Sequence, residues 1–229
     1  MSRPHEDRER HTLVDHRPGG APITFPARGW LVLGIARVKA DRSDACIAAY
    51  ETLVEKAQTS NVHAGPAVVF AARDGRRVVT LVGVRGHDGF RHLAAAWDDH
   101  HRFDQHRAIS ESVSLGLYEV ASSIAAADVD PASHDAYLFE HIERPVPSAG
   151  ELFASASPPA EFRGATILRA DVGDATVLLS RFAHIAAYET FRTGRDATNA
   201  LGATDASGSS SFQVRPTRTF EILGAGRGI

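Results

Sequence analysis

Residues 65–87, GPAVVFAARDGRRVVTLVGVRGH, lie over residues 164–184, GATILRADVGDATVLLSRFAH. Each stretch opens on a glycine, runs through an aliphatic strand and turns at a Gly/Asp pair, Asp74-Gly75 or Gly173-Asp174. Each then follows a second aliphatic strand to a histidine, His87 or His184. Short apolar runs rich in β-branched residues predict strands. An Asp-Gly pair between two of them is a strong hairpin signal, because glycine takes the left-handed backbone such turns require. Two hairpins matched this closely predict a chain built twice from one unit.

Working outward from each hairpin gives the same order. Before the first lies WLVLGIARV from Trp30, a strand. A helix follows it, with Ser43 or Asp44 as N-cap and Ile47, Tyr50, Leu53, Val54 and Ala57 at helical spacing through Gln58. After the hairpin, HDGFRHLAAAWDDHHRFDQHR places Phe90, Leu93 and Trp97 along one side of a second helix. SVSLGLYEV then alternates as a fourth strand. In the second half YLFEHIER (137–144) is strand-like, Ser148 caps a short helical GELFASA, HIAAYETFRTGRDATNAL is helical, and SFQVRPTRTFEIL closes the unit. Pro216 interrupts that last strand and predicts a sheet edge or a bulge. The expected architecture is α+β: tandem ferredoxin-like repeats, β-α-β-β-α-β twice, each with helices on one face of its sheet. Covering one bare sheet face with the other gives a barrel. The expected boundaries are a disordered arm at 1–22, units at 23–122 and 136–224, and a linker at 123–135 containing Pro131.

Composition excludes several function classes. Lys+Arg 25 against Asp+Glu 28 gives a net charge of -3, so no basic field draws nucleic acid or anionic lipid to this chain. No run reaches the roughly 18 apolar residues of a membrane span. The N-terminus mixes charge signs without an apolar segment, unlike a signal peptide. The single cysteine, Cys46, forms no internal disulfide and suits a reducing compartment, so a cytoplasmic location is expected. No dinucleotide fingerprint, Walker-type loop or nucleophile elbow occurs.

The hairpin running into an aromatic-bearing helix, VVTLVGVRGHDGFRHLAAAWDDHHRFDQHR (78–107), resembles the antibiotic biosynthesis monooxygenase-like proteins of the dimeric α+β barrel superfamily. The resemblance spans about residues 28 to 223, and most such proteins are single units that dimerise. It implies a small apolar cavity and a set of activities: cofactor-free oxygenation of anthrone-like aromatic polyketides, polyketide cyclisation, haem binding or degradation, and small isomerisations or decarboxylations. The aromatic residue often found at the end of the third strand is Val84 here, and Arg181 or Phe182 in the second half.

Such chemistry needs a base, an oriented carbonyl or phenol and an apolar pocket. His87 and His184 occupy equivalent strand-to-helix junctions, where an imidazole serves either as base or as a helix-start residue bonding exposed backbone N–H groups. Arg85 and Arg181 precede them and suit an anionic oxygen or plain surface charge. His141 alternates with Tyr137 and Phe139 on one strand face. There it is a base or haem ligand beside two aromatic walls, or else a core histidine. Tyr118 has the same two readings, with its hydroxyl as a donor to a substrate carbonyl, and Trp97 is a cavity-wall or core residue. His100 and Asp104 sit at i and i+4, yet with no second ligand pair a solvated helix face explains the Asp/His cluster more simply than a metal site. The functional expectation is a cofactor-independent oxygenase tailoring an aromatic polyketide-like small molecule. Its site residues are His87, His141, His184 and Arg85, with Trp97, Tyr118, Tyr137 and Phe139 contacting the substrate. No metal and no cofactor are expected, and a monomer or homodimer satisfies the sheets. A cyclase on the same scaffold and a haem or small-molecule binding protein are the alternatives.

Overall fold

The computed structural model describes residues 28–58, 63–72, 74–100, 107–125, 136–142, 161–184, 186, 187, 190 and 209–220. The first half contributes β1 (Trp30–Val38), α1 (Ser43–Gln58), β2 (His63–Ala72), β3 (Arg77–Val84), α2 (Gly86–His100) and β4 (Ser110–Ala125). The second contributes β5 (Ala136–Ile142), β6 (Phe162–Ala170), β7 (Thr176–Phe182) and β8 (Ser209–Phe220). All pairings are antiparallel, and the strands close into a barrel in the order β1-β3-β2-β8-β5-β7-β6-β4. Each half follows one rule within that ring: its first strand lies between its third and fourth, and its second lies outside the third.

The halves are sewn together by their last strands. β4 pairs with β1 from Ser110 to Glu119 and with β6 from Tyr118 to Ala125, so it runs past residue 122 into the other half. β8 does the same between β5 and β2. Pro216 lies beyond the β5 pairing, which ends at Val214, and beside a register shift against Val69 and Phe70. A residue without an N–H is tolerated there because one side of the strand has no ladder partner to satisfy.

Strand alternation makes two cores. One set of side chains fills the barrel: Leu31 and Leu33 of β1, Val68 and Phe70 of β2, Val79 and Leu81 of β3, Tyr118 and Val120 of β4, and Tyr137, Phe139, Leu168, Val177 and Leu179 from the second half. The other faces the helices: Val32, Ala36, Val69, Val82 and Leu117 pack against Cys46, Tyr50 and Val54 of α1 and Leu93 of α2. A one-residue slip in any strand exchanges these sets, so register is tightly specified. At the hairpins Gly75 has φ 67° and Gly173 φ 85°, the left-handed geometry foreseen for the turns. The Asp74 carboxylate accepts from the Arg76 N–H at 2.9 Å and fixes the first turn. The helical stretch expected around GELFASA, the N-terminal arm and most of the linker lie outside the described residues.

Candidate functional site

Three of the expected substrate-contact residues meet in one place. Tyr118, Tyr137 and Phe139 share the barrel interior, and Phe70 meets Tyr137 with ring centroids 5.8 Å apart. Burial holds the Tyr118 hydroxyl above its ordinary 10.0, so it stays protonated and acts as a donor. Its ring leans back across Gly116: a Cβ built on that glycine would stand 2.9 Å from Tyr118 Cε2. Gly116 is therefore the space into which the phenol folds.

His87 stands elsewhere, at the start of α2 on the helix side. Gly86, with φ 65°, turns the chain sharply out of β3. That turn lays the imidazole against Trp30, with ring centroids 5.1 Å apart at 59°. Its Nε2 lies 3.0 and 3.1 Å from the two carboxylate oxygens of Asp171. Asp171 belongs to the β6–β7 hairpin of the other half, whose backbone is pinned on β4 by the Asp171 N–H donating to Leu117 O at 2.9 Å. An acceptor on Nε2 selects the tautomer protonated there and leaves the Nδ1 lone pair free to take a proton. The side chain of His87 is 58% exposed and that of Asp171 27%, so substrate can reach the pair from solvent. Trp30 and Phe90 are only partly buried on the adjoining helix-facing side, and they offer it an apolar margin.

The remaining expected residues are dispersed. Arg85 is exposed beside this cluster. His184 is exposed, and its Nδ1 accepts the Ala187 N–H at 3.3 Å, the helix-start role weighed for it above. His141 lies on β5 between Val177 and Ser210 in register. Trp97 falls within α2. The side chains of both lie outside the described residues, as does Asp104. Among the described residues no group of His, Cys, Asp and Glu is arranged to hold a metal ion, and no helix is long and apolar enough to cross a membrane. Sequence reasoning missed Asp171 and Trp30. Asp171 carries no motif, and Trp30 seemed only the first residue of a strand; their meeting with His87 depends on barrel closure.

No family model and no curated protein matches the chain. Solved structures do. An anthrone oxidase-like protein superimposes with a TM-score of 0.65 at 17% identity, over 89% of this chain and 99% of the other. The likeness is one of fold. A candidate monooxygenase from Fusobacterium nucleatum matches with a TM-score of 0.56 at 13% identity, over 84% of this chain and 94% of its own. One from Lactobacillus acidophilus matches with a TM-score of 0.51 at 10% identity, over 86% and 97%.

Proposed function

We propose that this chain is two ferredoxin-like units fused in one polypeptide and acts as a cofactor-independent oxygenase on an aromatic, polyketide-like small molecule. The units span residues 23–122 and 136–224, with the strand exchange by β4 and β8 standing where two separate chains would pair. The observation that carries the reading is the imidazole of His87, fixed by Asp171 on one nitrogen and by Trp30 on its face, with an apolar margin beside it. A likeness in fold to an anthrone oxidase-like protein supports the same class of substrate.

In this reading a hydroxyarene or anthrone-like ring lies against Trp30 and the neighbouring apolar layer. His87 Nδ1 removes an activated C–H or phenolic proton, and the carbanion or phenolate so formed supplies the electrons that reduce O₂. One oxygen atom becomes the new carbonyl and the other leaves as water, so a CH₂ group and one O₂ give C=O and H₂O. The protein supplies base, orientation and an apolar setting. Asp171 stabilises the imidazolium while it holds the proton, as a carboxylate does for a catalytic histidine.

Oxygen uptake with anthrone in the presence of a chelator tests the proposal. Uptake that persists with chelator and falls at least a hundredfold in His87→Ala supports it, since general-base catalysis contributes roughly 10²–10⁴-fold. Uptake equal in the variant and the parent protein refutes it. Ring closure of a polyketide model without oxygen consumption assigns the scaffold to cyclisation instead.

A further inference from the structure

The inward faces of β4, β1 and β3 form a ladder that changes character along the barrel. Its innermost rung is Tyr118, Leu31 and Gly83, followed by Gly116, Leu33 and Leu81. Next come Ser114, Ile35 and Val79, and the last rung is Ser112, Arg37 and Arg77. Exposure rises in the same order along β1 and β4. Leu31 and Leu33 are buried, Ile35 and Gly116 are half-buried, and Arg37, Ser112 and Ser114 are exposed. The barrel interior therefore reaches solvent at this end, about 23 Å along β1 from Trp30 at roughly 3.3 Å per residue.

The opening carries an unusual rung. Arg37 and Arg77 are direct cross-strand partners, and like charges in that position destabilise a sheet. Arg77 is offset by Asp74, its Nη1 lying 3.3 Å from Oδ2. Arg37 makes no ion pair among the described residues. Behind the guanidinium groups lie the half-buried side chain of Ile35 and, deeper, the ring of Tyr118, which fills the space over Gly116. Two hydroxyls, on Ser112 and Ser114, flank the charged rung, and Ser114 Oγ donates to Ile35 O at 3.5 Å.

We propose that this barrel mouth binds a small amphipathic organic acid, with its flat apolar body over Ile35 and its carboxylate on Arg37 and Arg77. The site is separate from the His87 cluster and does not depend on the oxygenase reading. A carboxylate relieves the repulsion between the two guanidinium groups and matches their fork of donors. The apolar body covers the half-buried Ile35 side chain at the mouth.

Isothermal titration of the full chain with 1-naphthoate at low salt, against the neutral analogue 1-naphthalenemethanol, tests the proposal. The acid should bind one per chain, at least tenfold more tightly than the alcohol, and weaken as salt is raised. The double variant Arg37→Gln, Arg77→Gln should lose at least tenfold in naphthoate affinity while binding the alcohol as before. Ser114→Phe, at an exposed position that leaves folding intact, should block both ligands. His87→Gln should change neither, which separates this site from the proposed oxygenase site. The proposal is overturned if naphthoate does not bind, if the double variant binds it unchanged, or if His87→Gln rather than the arginine variant abolishes binding.

Discussion

Replacing Gly116 with alanine should destabilise the protein, against the ordinary trend for glycine in a strand. In a strand interior alanine is favoured over glycine by roughly 0.5–1 kcal/mol, because glycine has more backbone freedom to lose. Here the added methyl would lie 2.9 Å from Tyr118 Cε2 and 3.7 Å from Cδ2 and Cζ. The ring has little room to yield, since Tyr118 is 9% exposed and packed among Leu31, Val120 and Leu168 in the barrel core. Overpacking of this kind costs about 1–3 kcal/mol, which exceeds the backbone gain. In a Tyr118→Leu background no atom occupies the Cε2 position, so the same Gly116→Ala change should become neutral or stabilising. The two changes should thus couple by about 2 kcal/mol in a double-mutant cycle read by urea unfolding at constant m. Coupling below about 0.5 kcal/mol, or a Gly116→Ala protein more stable than its parent with Tyr118 present, would refute the assignment of Gly116 as the space for the Tyr118 ring.

Other outcomes follow from particular groups. Burial pushes the Cys46 thiol from its ordinary 9.0 to about 11, so a thiol reagent should leave the native protein unmodified at pH 8 and label it readily in denaturant. Because the folded value lies above the unfolded one, this contribution is complete below pH 9 and lost as pH rises through 11. The loss is on the order of 3 kcal/mol, and Cys46→Ala should flatten that part of the stability-versus-pH curve. Tyr50 and Tyr118 are both raised by burial, so both should ionise late in a phenolate absorbance titration; normal titration of every tyrosine would contradict their packing. Asp171→Ala should cost at most about 1 kcal/mol in thermal or chemical unfolding, because its pair with His87 is largely solvated, yet lower oxygen uptake with anthrone by tenfold or more. Phe139→Ala, removing a fully buried ring from the barrel, should cost roughly 3–5 kcal/mol in the same unfolding assay.

Much of the fold was legible because it rests on local signals. The Asp74-Gly75 turn, the alternation of Leu31, Leu33 and Ile35 with Val32 and Ala36, and the Tyr50, Leu53, Val54 stripe each act within a few residues of their own position. The site was less legible, because its parts meet only through closure. His87 was identifiable as a histidine at a strand-to-helix junction, whereas Asp171 reaches it from 84 positions away. The barrel interior was easier, since Tyr137 and Phe139 alternate along β5 and the strand period itself puts them on one face. Arg37 and Arg77 carry no motif, and only the β1–β3 register makes them neighbours.

On the fused-unit reading, the register also shows how far the halves have diverged. Trp30 pairs with Val84 as Ala136 pairs with Phe182, so Trp30 corresponds to Ala136, Gly34 to Glu140 and Val82 to Ser180. In the first half these positions face the helices. That face is apolar and bears the indole on which His87 rests. In the second half the corresponding positions bear a buried carboxylate at Glu140 and a buried hydroxyl at Ser180, and the indole has no counterpart. The inward positions diverge the other way: Leu31 and Leu33 correspond to Tyr137 and Phe139, so the second half supplies two of the aromatic side chains in the barrel. Two separate identical chains would have to present the same residues at both places. A fused chain is free of that constraint, so one half can hold the base while the other delivers Asp171 to orient it. That division predicts that Asp171→Asn impairs turnover more than any substitution at His184, whose imidazole is engaged in capping its own helix. Equal loss from His184→Ala and Asp171→Asn in the oxygen-uptake assay would instead mean that both halves carry working sites.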